Sequence, residues 1–219
     1  MEENILNEVR EIKKAFRLAM NGVVSTLQRR QGLDYKINFG VEIPRLKGIA
    51  AEHAKNRELA TALWQDNIRE CKMMAIFLMP EEAYCDVADK WIGETKFTEI
   101  ADQLAMHLLC RMPNALEKAL QWTKCDEGLF RYCGYMTISH MLRRGAELDR
   151  EQEATLFDSL TCLPAGREHS VTVKCAHNAA ICYLDRVPDA VARLQKVMDE
   201  KEVKESGLKA LLETFEECI

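Results

Sequence analysis

One carboxylate stands out because of its neighbours along the chain. Asp102 lies in a segment whose apolar residues recur at helical spacing, at positions 97, 100, 101, 104, 105, 108 and 109. This spacing predicts an α-helix with one buried face, and it places Asp102 beside that face. A carboxylate rarely lies there without a partner or a task, because burying it uncompensated is costly. Asp102 therefore either bonds to a backbone group or an arginine, or belongs to a functional site.

Histidine and cysteine side chains could bind a metal or form a nucleophilic pair, but their spacing favours neither. His107 and Cys110 are three residues apart, and Cys175, His177 and Cys182 form a second group. Zinc needs four converging ligands, and the sequence has no His-Glu-x-x-His or Cys-x-x-Cys element to supply them. We expect core thiols and hydrogen-bonded histidines. The glycines stand singly at helix ends, so no phosphate-binding loop, cofactor or metal is predicted.

The composition is typical of a helical protein from a reducing compartment. Of the 219 residues, 47% are hydrophobic and 30% are charged, with only 5 prolines and 10 glycines. Ala, Leu, Glu, Lys, Arg and Met dominate, and this mixture favours α-helix. The 9 cysteines are scattered, no secretion signal is apparent at the N-terminus, and no apolar run reaches about 18 residues. We expect a cytoplasmic protein with no membrane association.

Charge is distributed unevenly along the chain. The first 60 residues carry 11 basic and 8 acidic side chains, whereas the remainder carries 19 basic and 27 acidic ones. The net charge of −5 argues against a general attraction to nucleic acid. Any nucleic-acid surface should therefore be local and should draw on the N-terminal third.

Predicted helices follow one another with short breaks between them. The apolar spacing predicts a first helix from about Asn4 to Met20 and a short second helix that ends near Gly32. Pro44 suits the first turn of a third helix. No alternating strand pattern of useful length appears, so the fold is predicted to be all-α. Further breaks are predicted near Asn56, Asp66, Pro80, Gly93, Pro113, Lys124, Gly145, Pro164, Pro188 and Ser206.

One sequence pattern occurs twice in the chain. A leucine and tryptophan, then an arginine-containing turn and a long apolar run, occupy residues 63–79 and again residues 120–142, and a fainter copy spans residues 194–215. Each copy resembles a helix hairpin that buries its apolar face only by stacking on neighbours. Stacking predicts an α-solenoid of antiparallel helix pairs in a single domain over residues 1–219, with a plain helical bundle as the alternative.

Three stretches together resemble a known family. Residues 38–50 contain Gly-Val-x-x-Pro, residues 59–75 contain Leu-Trp-x₄-Arg-Glu, and residues 96–110 contain Asp102. In order and spacing they resemble the DNA alkylation repair proteins of the AlkD type, which are HEAT-like α-solenoids. The resemblance covers about residues 5–185. It implies removal of positively charged alkylated purines, such as 7-methylguanine and 3-methyladenine, from an open concave cleft.

The resemblance also implies a mechanism. The alkylated base is already a good leaving group, so the protein needs mainly to stabilise the cationic sugar with a fixed carboxylate. The same carboxylate can orient the attacking water, and aromatic rings beside the sugar attract the developing cation.

Carried over position by position, the resemblance places the family's catalytic aspartate on Asp102. The tryptophan four residues earlier falls on Thr98, with Phe97 as the nearest ring. The arginine of the family's cleft falls on or beside Tyr132, with Arg131 one position earlier. The second tryptophan of the cleft falls on Ala179, close to His177. The carboxylate is thus retained, whereas the aromatic residues around it are not.

Two interpretations of this departure remain open, together with a third that needs no DNA. Phe97, Tyr132 and His177 could rebuild a cleft around Asp102, which would make the protein an active N-glycosylase. The chain could instead keep a DNA-binding solenoid and have weak or no excision activity, and this interpretation needs fewer coincidences. A protein-binding helical scaffold is the third, because a fold by itself does not determine a function.

Duplex DNA is the expected partner, in alkylated, abasic or branched form, and we expect a monomer. Arg143 and Arg144 close a predicted helix, where they could contact a phosphate but more simply complement the helix dipole. The candidates for contacts with the DNA backbone are Lys13, Lys14, Arg17, Arg29, Arg30, Lys36 and Arg45.

Overall fold

The structure is a computed structural model that describes residues 2–163, 169–203 and 206–216. The predicted all-α fold is confirmed in these residues, in which a single parallel bridge joins Ile37 to Ile68 and no strand forms. Short 3-10 turns occupy Glu81–Ala83 and Leu109–Arg111. The thirteen α-helices of the described part are α1 (Glu2–Leu18), α2 (Gly22–Arg30), α3 (Ile43–Ala50), α4 (Arg57–Gln65), α5 (Arg69–Leu78), α6 (Tyr84–Glu94), α7 (Thr98–His107), α8 (Ala115–Trp122), α9 (Phe130–Arg143), α10 (Arg150–Thr161), α11 (Ser170–Leu184), α12 (Ala190–Glu200) and α13 (Ser206–Glu216).

Local sequence explains where several helices begin. Pro44 lies in the first turn of α3, as its position predicted. The side chain of Asn56 caps α4 by accepting a 2.8 Å hydrogen bond from the backbone N of Leu59. Asp149 caps α10 in a reciprocal capping box. The predicted break at Pro164 lies outside the described residues, and Ser206, which we expected in a break, begins α13.

The described residues cluster into two compact units. The N-terminal unit comprises the chain up to Asp89 together with Phe97–Leu108, and the C-terminal unit comprises Lys90–Lys96 and the chain from Leu109 onward. In the N-terminal unit α5 packs against α3, α4 and α7, and in the C-terminal unit α9 packs against α8 and α11. The organisation of residues 1–219 as one domain stays a prediction.

Two helix hairpins correspond to the repeated sequence pattern. Helix α4 packs on α5, and helix α8 packs on α9, with Trp64 and Trp122 buried at equivalent places. The second hairpin is tight at Gly134, where a Cβ atom would lie 2.7 Å from the carbonyl oxygen of Ala119 and 2.9 Å from the amide nitrogen of Thr123. Glycine is therefore needed where α9 crosses the end of α8.

A buried polar network joins the two short motifs of the N-terminal unit. Glu70 is fully buried and accepts hydrogen bonds from the backbone N–H groups of Phe39 and Val41, at 3.1 and 3.2 Å. Arg69 donates from Nη1 to the carbonyl oxygen of Val41 at 3.0 Å. Each buried charge therefore has partners, as its burial requires. The Arg-Glu pair that opens α5 holds the Gly-Val segment that precedes α3.

Candidate nucleic-acid interface

The predicted DNA-backbone residues all lie in the N-terminal unit, and most of them are exposed. Lys13 is the exception, since it is half-buried and its Nζ lies 2.7 Å from a carboxylate oxygen of Asp66. Lys14 pairs loosely with Glu11 at 3.6 Å. In the described part of the chain no carboxylate forms an ion pair with the remaining five, so their charges face solvent. These five are Arg17, Arg29, Arg30, Lys36 and Arg45.

Helix α2 carries two of these cations and has an unusual environment. No residue in Gly22–Arg30 is buried, and Val23 is 81% exposed and Leu27 54% exposed. The helix presents apolar side chains and the guanidinium groups of Arg29 and Arg30 to solvent. Two large apolar side chains one turn apart and two cations therefore share the exposed surface of this helix.

Polar contacts, rather than a hydrophobic core, hold α2 in place. Asn21 caps the helix through its side chain and donates its backbone N–H to the carbonyl oxygen of Phe39 at 2.9 Å. Asn38 donates from Nδ2 to Oε1 of Gln28 at 2.9 Å. At Gly40, φ is +70°, and a Cβ atom there would overlap the carbonyl oxygen of Asn21. The segment at residues 38–40 therefore positions α2.

Asp102 lies on α7, and its side chain is neither fully buried nor fully exposed. The first turn of α7 is anchored by Glu99, whose two carboxylate oxygens each lie 3.1 Å from Nε of Arg69. Since Asp102 follows Glu99 by three residues on the same helix, this anchor also limits where Asp102 can lie. The candidate catalytic carboxylate is thus partly exposed, and the helix that carries it is anchored at its first turn.

The two candidate residues before Asp102 pack within the N-terminal unit. Phe97 occupies the position before α7 and is half-buried, and its ring lies against that of Tyr35 with centroids 4.6 Å apart and planes at 53°. Thr98 begins α7 and is half-buried. Burial, followed by the negative charge of Glu99, raises the pKa of Tyr35, so the Tyr35 phenol stays neutral. Phe97 therefore serves as packing for Tyr35.

Arg131, in the C-terminal unit, joins two loops through its guanidinium group. It donates from Nε to the carbonyl oxygen of Cys125 at 3.3 Å and pairs with the carboxylate of Asp126. From Nη1 it donates to the carbonyl oxygen of Cys162 at 2.9 Å. The connection between α8 and α9 and the end of α10 are thereby tied together. These bonds give Arg131 a structural task that its sequence position did not reveal.

The remaining candidates of the cleft lie on α9 and α11. Tyr132 is 5% exposed and Ala179 is fully buried, whereas His177 is half-buried. Tyr132 and Ala179 therefore contribute to the core of the C-terminal unit, and the short side chain of Ala179 provides no ring.

Sequence reasoning did not identify several residues that organise this region. Glu99 lies in the first turn of α7, where an acidic residue normally complements the helix dipole, so its position in the sequence does not indicate the ion pair with Arg69. Val23 and Leu27 were also missed, although their spacing of four residues within a short helix marks one apolar face. Their exposure depends on which face of α2 meets the segment at residues 38–40.

The described residues contain neither a cluster of metal-binding side chains nor a helix suited to a membrane. In the described residues, no group of three or more His, Cys, Asp or Glu side chains is placed to hold a metal ion. Likewise, no helix in the described ranges is both long and apolar enough to cross a bilayer.

Comparison with solved structures defines the class of the fold. One solved structure represents a family described as new, related to the HEAT-like repeat DNA glycosylases and with affinity for branched DNA structures. It matches with a TM-score of 0.72 at 16% sequence identity, over 87% of this chain and 82% of its own. The match confirms the predicted all-α, HEAT-like α-solenoid fold.

The family follows from the sequence itself. The family model for DNA alkylation repair enzymes matches residues 11–162, which is more than half of the chain. The chain therefore belongs to the DNA alkylation repair enzyme family, and the suspected resemblance is confirmed. No curated protein has a sequence that matches it.

Proposed function

We propose that this protein binds duplex DNA through the N-terminal unit and has weak or no activity in excising alkylated purines. The observation that carries the proposal is the group of exposed cations Arg17, Arg29, Arg30, Lys36 and Arg45 in a chain of net charge −5. Exposed cations that no carboxylate neutralises attract an anionic ligand and raise its local concentration. The phosphate backbone of DNA is the ligand that membership of a DNA repair family suggests.

The apolar residues of α2 support the same partner. Val23 and Leu27 lie within a few residues of Arg29 and Arg30. Cations position a protein on the phosphates, while apolar side chains contact sugars and base edges. Because α2 is held by Asn21 and Asn38, it is already ordered before it meets DNA, which lowers the entropy cost of binding. The related solved structure with affinity for branched DNA makes branched DNA a form worth testing.

The expectation of weak or absent excision rests on the residues that stand at the family's two tryptophan positions. The two tryptophan positions of the family's cleft carry Thr98 and Ala179 here. Ala179 is buried and has no ring, and the ring of Phe97 is packed against Tyr35. Without tryptophans at these two positions, a developing sugar cation loses part of the aromatic attraction that the family's cleft would supply.

An active glycosylase is the alternative, and one observation favours it. Asp102 is partly exposed on a helix that the ion pair between Arg69 and Glu99 holds in place. A partly exposed carboxylate on an anchored helix suits the electrostatic stabilisation of an oxocarbenium ion.

The deciding experiment is single-turnover release of 7-methylguanine and 3-methyladenine from methylated duplex DNA. The intact protein is compared with Asp102→Asn, and binding to plain, abasic and four-way-junction DNA is measured in parallel by fluorescence anisotropy at 50 to 200 mM salt. We expect salt-sensitive binding by both proteins and little or no release by either.

Other outcomes are equally informative. Release by the intact protein and not by Asp102→Asn would establish the glycosylase and overturn the proposal of weak or absent activity. Neither release nor binding would contradict the DNA proposal altogether and would favour a protein-binding scaffold.

A further inference from the structure

Two adjacent arginines at the end of α9 point to different partners in the C-terminal unit. Arg144 donates from Nη1 to Sγ of Cys110 at 3.0 Å. Arg143 donates from Nη2 to Oδ1 of Asn178, on α11, at 2.8 Å. One guanidinium group is therefore directed to a core thiol, and the other is directed to an exposed position between two helices.

The end of α9 does not depend on Arg143. The backbone N–H of Gly145 donates to the carbonyl oxygen of Leu142 at 2.9 Å, and that of Ala146 donates to the carbonyl oxygen of Met141 at 3.0 Å. Arg186 adds a bond from Nη1 to the Leu142 oxygen at 3.0 Å. The carbonyl groups of Met141 and Leu142, to which an arginine in the last turn could donate, thus already accept hydrogen bonds from other groups. Complementing the helix dipole does not explain why Arg143 reaches across to α11.

A chain of hydrogen bonds holds the Arg143 guanidinium in one place. Buried Ser139 donates from Oγ to the carbonyl oxygen of Tyr135 at 2.8 Å, which turns the Ser139 lone pairs outward. Asn178 donates from Nδ2 to that Oγ at 3.1 Å, so its carbonyl oxygen faces Arg143. In this series of hydrogen bonds, Arg143 at the surface donates to Asn178, Asn178 donates to Ser139, and Ser139 donates to a backbone carbonyl in the core.

This arrangement orders a cation without neutralising it. Asn178 is an uncharged acceptor, and among the described carboxylates none forms an ion pair with Arg143. A guanidinium group has five N–H donors, and the bond to Asn178 uses one of them. Lys174 is exposed one turn before Asn178 on α11 and adds a second positive charge on the same helix face. Ordered guanidinium donors match the oxygens of a phosphodiester.

We propose that Arg143, oriented by Asn178 and Ser139, is a phosphate-binding position for DNA in the C-terminal unit. The proposal rests on the proposed function, since it requires that the chain bind DNA. It assigns the C-terminal unit a DNA contact of its own, although the net charge of this part of the chain is negative. Arg143 binds the phosphate directly, and Asn178 is a positioning residue that acts through it.

The test measures the affinity for a plain DNA duplex as a function of salt, using the full chain. We expect Arg143→Gln to weaken binding about tenfold near 0.1 M salt. We also expect the fall of log affinity with log salt to become less steep, by about 0.9 in the slope, because one phosphate contact is lost. We expect Asn178→Asp to lower the slope similarly, since its carboxylate neutralises Arg143. Asn178→Leu should weaken binding but keep the slope, because the cation remains and only its order is lost.

Arg144→Gln is the matched control, since it removes the same charge from the neighbouring position. Its guanidinium faces Cys110, so we expect lower thermal stability with an unchanged slope. Equal slopes for Arg143→Gln and the intact protein would overturn this inference and leave the proposed function in place. Equal loss of slope in Arg143→Gln and Arg144→Gln would also overturn it, because net charge would then explain both. Failure of the intact protein to bind DNA would contradict the proposed function itself.

Discussion

Nε of Arg69 lies 3.1 Å from both carboxylate oxygens of Glu99, and this ion pair joins the start of α5 to the start of α7. Arg69 is 3% exposed and also bonds to Glu70 and to the carbonyl oxygen of Val41. One side chain therefore connects the segment before α3, the buried carboxylate of α5 and the helix that carries Asp102. The helix with the candidate catalytic residue is held by a residue thirty positions away.

Replacing Arg69 should strongly destabilise the protein. Arg69→Met leaves Glu70 buried beside an unbonded carbonyl oxygen, so we expect a loss of about 3–5 kcal/mol in the free energy of unfolding. Equilibrium unfolding in urea at pH 7 measures it. Arg57→Met is the control, since the pair between Arg57 and Asp86 is more than half exposed, and its loss should cost less than about 1 kcal/mol. Similar losses in the two variants would show that the buried network contributes no more to the free energy of unfolding than an exposed ion pair does.

Gly134 should not tolerate a side chain. A methyl group there would meet the backbone of Ala119 and Thr123, and backbone atoms cannot turn away as a flexible side chain can. We expect Gly134→Ala to lower the free energy of unfolding by about 1–3 kcal/mol. Gly48→Ala, in the open middle of α3, should instead leave stability unchanged or raise it by up to about 1 kcal/mol. Thermal melts of the two variants give the comparison, and a neutral Gly134→Ala would contradict the close packing of α8 on α9.

Glu153 should make the C-terminal unit sensitive to acid. Arg193 donates to both of its carboxylate oxygens, at 2.8 and 2.6 Å, and Tyr183 donates at 2.5 Å. The bonds from Arg193, and then that from Tyr183, lower the pKa of Glu153 from 4.5 to about 2 against the opposing effect of burial. Burial of the Tyr183 phenol, together with the neighbouring carboxylate of Glu153, raises the pKa of Tyr183 to about 12.

A carboxyl group whose pKa is lower in the folded protein than in the unfolded chain stabilises the fold at pH values above its pKa in the unfolded chain. This contribution is complete above about pH 4.5 and is lost as the pH falls towards 2, and it amounts to about 3 kcal/mol. We therefore expect Glu153→Gln to be less stable at pH 7 and to lose less stability between pH 4.5 and 2. Urea unfolding at a series of pH values tests this, with exposed Glu151→Gln as the control. Parallel curves for the intact protein and Glu153→Gln would contradict the lowered pKa.

The cations of α2 should appear in the salt dependence of DNA binding. If Arg29 and Arg30 each contact a phosphate, the double change to glutamine should lower the slope of log affinity against log salt by about 1.8. A double change of Lys196 and Lys209 to glutamine removes the same charge from the exposed surfaces of α12 and α13 and should leave the slope nearly unchanged. An equal fall in both double variants would mean that only net charge matters.

Much of the local structure could be predicted from residue types and spacing. The apolar periodicity predicted the helices, and Pro44, Asn56 and Gly145 marked their ends correctly. The repeated tryptophan pattern predicted the hairpins α4–α5 and α8–α9. Such features depend on residues within a few positions of one another, so the chain itself specifies them. The family could also be inferred, because its motifs are short continuous segments.

The environment of each candidate site residue was decided by the tertiary structure. Arg131 ties Cys125 to Cys162 through its guanidinium group, and Arg143 bonds to Asn178; neither partner follows from the position of these arginines in the sequence. Glu99 acquired its task from Arg69. These partners are between 6 and 35 positions apart in the sequence. A long polar side chain can reach many groups, and only packing selects among them. The sequence by itself therefore determined the helices, the hairpins and the family, and the tertiary structure determined which charges are engaged in the fold and which remain available to a ligand.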